Sequence, residues 1–336
     1  MADIARLAGV SASTVSRALN GSSVVNAETR ARIEELARSL NYVINAGAKS
    51  LRIGHNNTIG LVIPYDTRTR QHISDPFFLS ILGSVADALT DRGYQLLLSR
   101  VDSERLDSLA ELYDTGRAMG IIVIGQWAHH DQLNALAARR VPIVVWGAQL
   151  AQQLYCTVGS DNTAGGIMAT EHLLSLGRNR IAFLGDVNLP EVAQRYAGYQ
   201  SACRTHGLEL APELTLTVPF LAEGARAAIA RFCDEGPAFD ALFAASDLLA
   251  MTAASILIGQ GKQVPNDVSV VGYDDVAAAS HFQPPLTTVC QPIKMAGQAL
   301  AETLLSLIDG GSPGSKVLPT SLIVRASTVM PAAFLS

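Results

Sequence analysis

The sequence lacks an apolar run long enough to cross a membrane, and it lacks a recognisable secretion leader. A membrane-spanning helix needs about 20 consecutive apolar residues, and none of the 336 residues begins such a run. The first nine residues, MADIARLAG, do not show the basic segment followed by an apolar stretch that marks a signal peptide. We therefore expect a cytoplasmic protein with no membrane partner.

Cysteine is scarce, and its spacing fits neither a disulfide framework nor a zinc site. Cys156, Cys203, Cys233 and Cys290 form no CxxC pair and no Cys/His ligand pattern. Thiols in a chain without a secretion signal are expected to be reduced. The adjacent histidines at 129–130 have diverging side chains, which indicates a surface pair. We predict no metal ion and no cofactor.

Motifs of enzymatic chemistry are missing as well. The sequence contains no GxxxxGK(S/T) phosphate loop and no GxSxG nucleophile elbow. We assign no catalytic residue, and a sugar-modifying α/β enzyme is only a remote alternative. Hydrophobic residues make up 49% of the chain and charged residues 16%, which is typical of a well-packed globular protein of two or three domains.

Positive charge is concentrated at one end of the chain. Residues 1–58 contain seven Lys and Arg against four Asp and Glu, whereas the whole protein has a net charge of −5. A small basic segment on a large acidic body indicates a polyanionic partner at the N-terminal end only.

The first 43 residues show the pattern of three short helices. A first helix is predicted to end at Gly9, while Ser11 and Asn26 are placed to cap the second and third helices. Two short helices joined by a tight turn and followed by a third are typical of a helix-turn-helix. The exposed side of the second helix carries polar residues and Arg17, which favours DNA binding over an ordinary helical bundle.

From residue 58 the pattern changes to alternating strands and helices. Apolar strands are predicted in two series, at 58–64, 94–101, 120–126 and 141–147, and then at 180–186, 214–219, 241–247 and 268–275. Continuous apolar strands between helices predict parallel sheets that are covered on both faces. Two series predict two open α/β subdomains with a small-molecule site in the cleft between them.

Several motifs in order carry a family resemblance. They are DIARLAGVSASTVSRALNG (3–21), SDNTAGG (160–166), RYAGYQSA (195–202), VPNDVSVVGYDD (264–275) and PPLTTVCQP (284–292). Over essentially its whole length the chain resembles the LacI/GalR family of bacterial transcription regulators. The resemblance implies an all-α helix-turn-helix domain and a core like a periplasmic binding protein, made of two open parallel-sheet subdomains.

The resemblance also implies a division of the chain. The DNA-binding domain would be 1–43, the hinge helix or linker 44–57, and the effector-binding core 58–336. Within the core, subdomain 1 would comprise about 58–158 and 291–320, and subdomain 2 about 159–290 and 321–336. The implied function is a repressor of a carbohydrate-utilisation operon, which acts in the cytoplasm on nucleoid DNA and is controlled by a sugar.

The DNA-binding residues follow from the same resemblance. Ala12, Ser13 and Arg17 would face base edges in the major groove, with Arg17 suited to a bidentate contact with guanine. A second group is expected near the phosphates or beside the reading helix, and it consists of Ser11, Thr14, Ser16, Asn20, Asn26, Thr29 and Arg30.

The stretch NAGAKSLRIG (45–54) corresponds to the family's hinge helix. Leu51 would lever a base step open in the minor groove, flanked by Lys49 and Arg52. Ala48 and Ser50 are small enough for two hinge helices to pack together. Gly47 stands where relatives carry a bulkier residue and is expected to loosen the hinge in the absence of DNA.

The implied effector site lies between the subdomains. Its predicted residues are Phe78, Trp146, Ser160, Arg195, Phe220, Ser246, Asp247, Asp274 and Gln291. Planar polar groups suit the paired hydroxyls of a sugar, and aromatic rings suit its CH face. For Trp146, packing in the core is the alternative, and for Asp274 a hydrogen-bonded turn at the end of a strand.

Two departures from the family pattern bear on the effector. The segment 65–74 is longer than usual, and we expect either a lip over the cleft or a longer surface loop. Gly147 stands where some sugar-binding relatives have a carboxylate, and Ser246 replaces a common Asn, which argues against galactoside-type recognition. The stretches QHISDPFF (71–78) and VVWGA (144–148) most resemble regulators of α-glucoside or similar oligosaccharide use. A mono- or oligosaccharide is the expected effector, with a nucleobase or a corepressor protein as the alternative.

The expected DNA partner sets the expected oligomer. A double-stranded pseudopalindromic operator calls for a two-fold homodimer, because two reading helices must match two half-sites. No apolar heptad tail follows the last predicted strand. We therefore expect a dimer rather than a tail-assembled tetramer.

Overall fold

The computed structural model describes residues 1–19, 22, 24–40, 42, 56–66, 72–127, 129–220 and 225–329. The chain divides into two compact units, Met1–Asn56 and Asn57–Ser336. Several predicted features lie outside the described residues, and they stay predictions. These are Asn20, Gly47 and the hinge residues Ala48, Lys49, Ser50, Leu51 and Arg52, together with positions 67–71 of the 65–74 segment.

The N-terminal unit contains three helices, α1 (Ala2–Ala8), α2 (Ala12–Leu19) and α3 (Ala27–Ser39). Gly9 ends α1 in the left-handed conformation with φ 65°, which glycine adopts without strain. The Ser11 hydroxyl accepts from the Thr14 N–H at 3.1 Å, and Asn26 Oδ1 accepts from the Thr29 N–H at 2.8 Å. Both predicted caps are therefore present. The helices close over a core of Ile4, Ala5, Ala8, Val15, Ala18, Val25, Ile33 and Ala37.

The second unit begins with a lobe built on one parallel sheet, which we call the first lobe. Its strand order is β11-β5-β4-β3-β1-β2, and every pair is parallel. Its strands are β1 (Thr58–Val62), β2 (Gln95–Ser99), β3 (Ile121–Ile124), β4 (Ile143–Trp146), β5 (Cys156–Ser160) and β11 (Lys316–Leu318). Its helices are α4 (Pro76–Thr90), a 3₁₀ helix (Ser103–Leu109), α5 (Ala110–Asp114), α6 (His130–Ala138) and α12 (Ile293–Ile308).

The second lobe has the same architecture. Its strand order is β12-β10-β9-β8-β6-β7, and the pair β10–β12 is antiparallel. Its strands are β6 (Ile181–Leu184), β7 (Thr215–Leu216), β8 (Ala241–Ala244), β9 (Ser269–Asp274), β10 (Thr287–Cys290) and β12 (Ser321–Ile323). Its helices are α7 (Asn162–Ser175), α8 (Pro190–Thr205), a 3₁₀ helix (Pro212–Leu214), α9 (Ala225–Glu235), α10 (Asp247–Gly259) and α11 (Ala277–His281).

The central strands are apolar because helices cover both faces of each sheet. Strands β3, β4, β6 and β8 are buried along their whole length. The chain passes between the lobes three times, after Ser160, after Cys290 and after Leu318. Two of these crossovers are joined by the Asp161 N–H, which donates to the Leu318 carbonyl at 2.9 Å. The crossovers therefore place the carboxyl ends of both sheets beside one cleft.

None of the helices in the described segments is both long and apolar enough to span a membrane. The same segments contain no cluster of His, Cys, Asp and Glu that could hold a metal ion. All four cysteines are free thiols.

Candidate functional site

A cavity lies in the cleft between the two lobes of the second unit. Its empty space is about 660 Å³, a figure that includes the solvent at its open mouth. Both lobes contribute, because the carboxyl ends of β3, β4, β8 and β9 all point towards it. Seven of the nine predicted effector-site residues line it, namely Phe78, Trp146, Arg195, Phe220, Ser246, Asp274 and Gln291.

Arg195 lies on α8, lines this cavity and is held by several contacts. Its Nε donates to Asn162 Oδ1 at 2.9 Å and its Nη1 donates to the Ala245 carbonyl at 2.5 Å. The guanidinium carbon lies 3.8 Å from the ring centroid of Tyr273, a cation–π contact. The side chain is 6% exposed. Arg195 is thus preorganised, and a ligand gains its contact without ordering a long side chain.

Asp274 stands at the end of β9, with a backbone φ of 121° in a region that side chains rarely adopt. Its Oδ1 accepts from Gln291 Nε2 at 2.7 Å, and Gln291 Oε1 accepts from the Ser160 hydroxyl at 2.7 Å. Burial raises the pKa of Asp274 well above its ordinary value, although the Arg195 guanidinium opposes this rise. Backbone strain at a polar cavity residue is typical of functional sites.

Two of the predicted residues do not line the cavity. Ser160 lies behind Gln291 and reaches the site only through that side chain. Asp247 is fully buried, with Oδ2 accepting from the Val276 N–H at 2.8 Å and Oδ1 accepting from the Thr288 hydroxyl at 2.5 Å. Asp247 therefore links the end of β9 to β10. Both of its carboxylate oxygens are used within the protein, and it does not face the cavity.

Seven further residues line the cavity without having been predicted: Asp75, Phe77, Ile124, Gly125, Trp127, Leu189 and Glu191. A sequence signal existed for some of them. Glu191 precedes Arg195 by four positions on α8 and so shares its face. Trp127 directly follows the run 120–126, which predicts a place at the carboxyl edge of the sheet. Asp75 precedes Pro76, a typical helix start.

Two of these residues bring further carboxyl groups to the cavity. Asp75 caps α4 by accepting from the Phe77 N–H at 2.9 Å, and burial raises its pKa. Burial also raises the pKa of Glu191, and the Arg195 guanidinium on the same helix opposes this rise. The backbone of Gln126, which follows β3, opposes it too, so Glu191 interacts with groups of both lobes.

Aromatic rings from both lobes border the same space. Trp146 and Phe78 are only 4% and 8% exposed, so they belong mainly to the core of the first lobe. Phe77 lies between them, 5.8 Å from Phe78 and 6.5 Å from Trp146 between ring centroids. Trp127 is less buried and has a left-handed backbone with φ 50°, which costs about 1–3 kcal/mol for such a residue. Trp127 is thus the strained aromatic residue of the cavity.

The N-terminal unit presents the predicted DNA-reading surface on α2. Ser11, Ala12, Ser13 and Arg17 are exposed, as a groove-binding helix requires, and Thr14 is half-buried. Ser16 is only 9% exposed and faces the helical core, so the structure does not place it for a phosphate contact.

The start of α3 holds the remaining predicted residues. Asn26 is exposed and Thr29 is half-buried. Arg30 is engaged inside the unit, because its Nη2 donates to the Ser22 carbonyl at 2.6 Å and to the Val25 carbonyl at 3.4 Å. Arg30 therefore fastens the segment between α2 and α3 through its Nη2, and its predicted phosphate contact stays a prediction.

Comparisons with known proteins match both units. The profile for "Bacterial regulatory proteins, lacI family" matches residues 1–45, and a "Periplasmic binding protein-like domain" matches residues 170–328. The HTH-type transcriptional regulator CelR of Thermobifida fusca is 34% identical over 334 residues, which cover 96% of each chain. The chain belongs to the LacI family of bacterial regulatory proteins. This LacI-family protein is a DNA-binding transcriptional regulator and not an enzyme.

Two solved structures show the same fold over nearly the whole chain. A complex of the transcriptional regulator CelR with cellobiose superposes with a TM-score of 0.72 at 32% identity, covering 96% of this chain and 98% of that one. The lac repressor dimer bound to operator and the anti-inducer ONPF gives a TM-score of 0.84 at 27% identity, covering 97% and 98%. The predicted fold class of this LacI-family regulator is thereby confirmed.

Proposed function

We propose that this regulator represses a carbohydrate-utilisation operon and is released by a short oligosaccharide of glucose. The cavity between the lobes carries the proposal. It sets fixed planar polar groups, Arg195, Asp274 and Gln291, opposite aromatic rings. Sugars present paired hydroxyls and an apolar CH face, so this combination matches both of their surfaces.

The preorganised polar groups also favour selectivity. Buried Asp274 and Arg195 lose water when a ligand enters, and a ligand without hydroxyls would leave them poorly satisfied. A site built to hydrogen-bond a ligand rejects analogues that lack the matching groups. Phe78, Phe220, Ser246 and Gln291 complete the proposed contacts.

The relatives favour a disaccharide over the nucleobase alternative. The structure of CelR contains cellobiose, and that protein matches this chain over 96% of its length. We therefore place cellobiose first among the candidates. Maltose, an α-glucoside, is the second candidate and tests the resemblance to α-glucoside regulators.

The DNA-binding role uses the exposed face of α2. Ala12, Ser13 and Arg17 would read base edges, while Ser11, Thr14, Asn26 and Thr29 would position the phosphate backbone. We further propose a homodimer on a pseudopalindromic operator of nucleoid DNA, in the cytoplasm, with residues 1–43, 44–57 and 58–336 as reading head, hinge and effector core.

Calorimetry with the full chain tests the effector proposal. Cellobiose, maltose, glucose, ribose, hypoxanthine and guanine are titrated in separate experiments under the same conditions. We expect cellobiose to bind most tightly and the two purines to give no heat of binding. Tighter binding of a purine, or no binding of any sugar, contradicts the proposed effector class.

A further inference from the structure

The proposed effector cavity holds more acidic groups than basic ones. Asp75 from the first lobe and Glu191 and Asp274 from the second all line it. Among the described residues of the lining, Arg195 alone carries a positive charge. The groups are close enough to interact, since Asp75 contributes to the raised pKa of Asp274 across the cleft.

We propose that Asp75 and Glu191 make this cavity selective for an unphosphorylated sugar and exclude the phosphate esters of the same sugar. This inference rests on the proposed function, because it specifies the chemical form of the proposed sugar effector. Both residues lie in the second unit, outside the predicted DNA-binding head.

The single guanidinium is poorly available to a phosphate group. Phosphate recognition by arginine normally uses two parallel N–H donors on one edge of the fork. In Arg195, Nε is committed to Asn162 and Nη1 to the Ala245 carbonyl, while the ring of Tyr273 covers one face. A phosphate that paired with the Nε edge of the fork would have to displace the Asn162 contact, so Arg195 offers an anion only part of its donors.

The carboxyl groups impose a further cost on an anion. A phosphate ester carries about −1.5 to −2 charges near pH 7, and like charges repel strongly in a partly desolvated site. Burial already raises the pKa values of Asp75 and Glu191, which shows that the cavity stabilises additional negative charge poorly.

A neutral hydroxyl meets no such cost. It donates to a carboxylate and accepts from a protonated carboxyl group, so it suits Asp75 and Glu191 in either protonation state. The acidic lining therefore tolerates a sugar and opposes its phosphate ester. It follows that the effector must be supplied by transport or hydrolysis that leaves the sugar unphosphorylated.

Calorimetry on the full chain tests the inference. Two ligands are compared, cellobiose and cellobiose phosphorylated at a 6-hydroxyl group. For the unaltered protein we expect the phosphate ester to bind at least about 100-fold more weakly than the free sugar. In the double variant Asp75→Asn, Glu191→Gln this ratio should fall at least about tenfold, because both carboxyl charges are gone.

The substitutions are chosen to keep the local structure. Asn caps a helix as well as Asp, and Gln has the size of Glu and keeps one of its acceptor oxygens. Glu171→Gln, on the exposed side of α7 in the same lobe, is the matched control and should leave the ratio unchanged. Equal binding of both ligands by the unaltered protein, or an unchanged ratio in the double variant, overturns the inference. If neither ligand binds, the proposed sugar effector itself fails.

Discussion

Gln291 donates a hydrogen bond of 2.7 Å from its Nε2 to Oδ1 of Asp274. The other end of the same amide accepts from the Ser160 hydroxyl at 2.7 Å. Because Ser160 ends β5 of the first lobe and Asp274 ends β9 of the second, one side chain in a crossover joins the two sheets. A ligand that contacts Asp274 or Gln291 therefore acts on a link between the lobes.

Replacing Gln291 tests the importance of that link. In Gln291→Ala the buried carboxyl of Asp274 loses its amide partner, and Ser160 loses its acceptor. We expect sugar affinity to fall by about 1–3 kcal/mol, because a buried polar group is left without its partner. Calorimetry measures the change, and Gln260→Ala at an exposed helix end should have no effect. Unaltered sugar affinity in Gln291→Ala contradicts this role.

Trp127 provides a test of the aromatic contact with the ligand. Since the chain contains only two tryptophans, Trp127 and Trp146, their fluorescence can be separated by substitution. We expect sugar to change the emission of the unaltered protein and of Trp146→Phe, in which Trp127 is the remaining tryptophan. The change should be smaller in Trp127→Phe, because the remaining Trp146 is only 4% exposed. Trp127→Ala should weaken disaccharide binding by about 0.5–1.5 kcal/mol. If sugar binds but leaves the emission of Trp146→Phe unchanged, the sugar does not contact Trp127.

The sequence predicted the apolar part of the fold better than the polar part. Runs such as 120–126 and 141–147 contain β3 and β4, because strands buried on both faces are continuously apolar. Strands β5 and β10 were not predicted, since each contains polar residues. In β10, the hydroxyl of Thr288 is buried and satisfied by Asp247, a partnership that only the folded chain reveals.

In the candidate site, too, some residues could be predicted from the sequence, and others depend on contacts that only the folded chain shows. Arg195 and Asp274 were predicted because the family resemblance fixes their positions. Asp247 does not line the cavity, because a carboxylate at a strand end can serve either a ligand or a neighbouring backbone, and here it accepts from the Val276 N–H. Glu191 was missed because its role depends on Gln126 across the cleft, 65 positions earlier in the chain.

Asp247 predicts a pH dependence of stability. Burial raises its pKa to about 7, while an unfolded aspartate titrates near pH 4. The folded chain thus holds an extra proton between these values. The stability from this group is full below about pH 4 and falls as the pH rises towards 7, by up to about 1.4 kcal/mol per pH unit.

The variant Asp247→Asn should lose the part of the pH dependence of stability that comes from Asp247. Its melting temperature is expected to decline less between pH 5 and pH 8 than that of the unaltered protein. Asp234→Asn, on the exposed face of α9, serves as the control and should melt like the unaltered chain. An identical pH profile for Asp247→Asn and the unaltered protein refutes the buried proton.

We expect Arg17 to contribute to operator affinity and Arg30 to the stability of the N-terminal unit. Arg17 is exposed on α2, so Arg17→Ala is expected to cost about 1–3 kcal/mol of operator affinity and to leave the melting temperature unchanged. Arg30 donates to two carbonyls within its unit, so Arg30→Ala should lower the stability of that unit. Fluorescence anisotropy on DNA selected from a random pool and thermal melting separate the two effects. Loss of stability in Arg17→Ala would reverse the assignment.

The coupling between sugar and DNA is the central claim, and one titration tests it most directly. Anisotropy of a labelled operator is measured with the full chain at increasing cellobiose. A ligand shifts the affinity for DNA only by its differential affinity for the two states, so the shift should saturate when the cavity is filled. We expect operator affinity to fall at least about fivefold, within the usual range of coupling free energies, and not to fall in Asp274→Ala. Operator affinity that stays constant while calorimetry shows the cavity saturated with sugar would contradict the account.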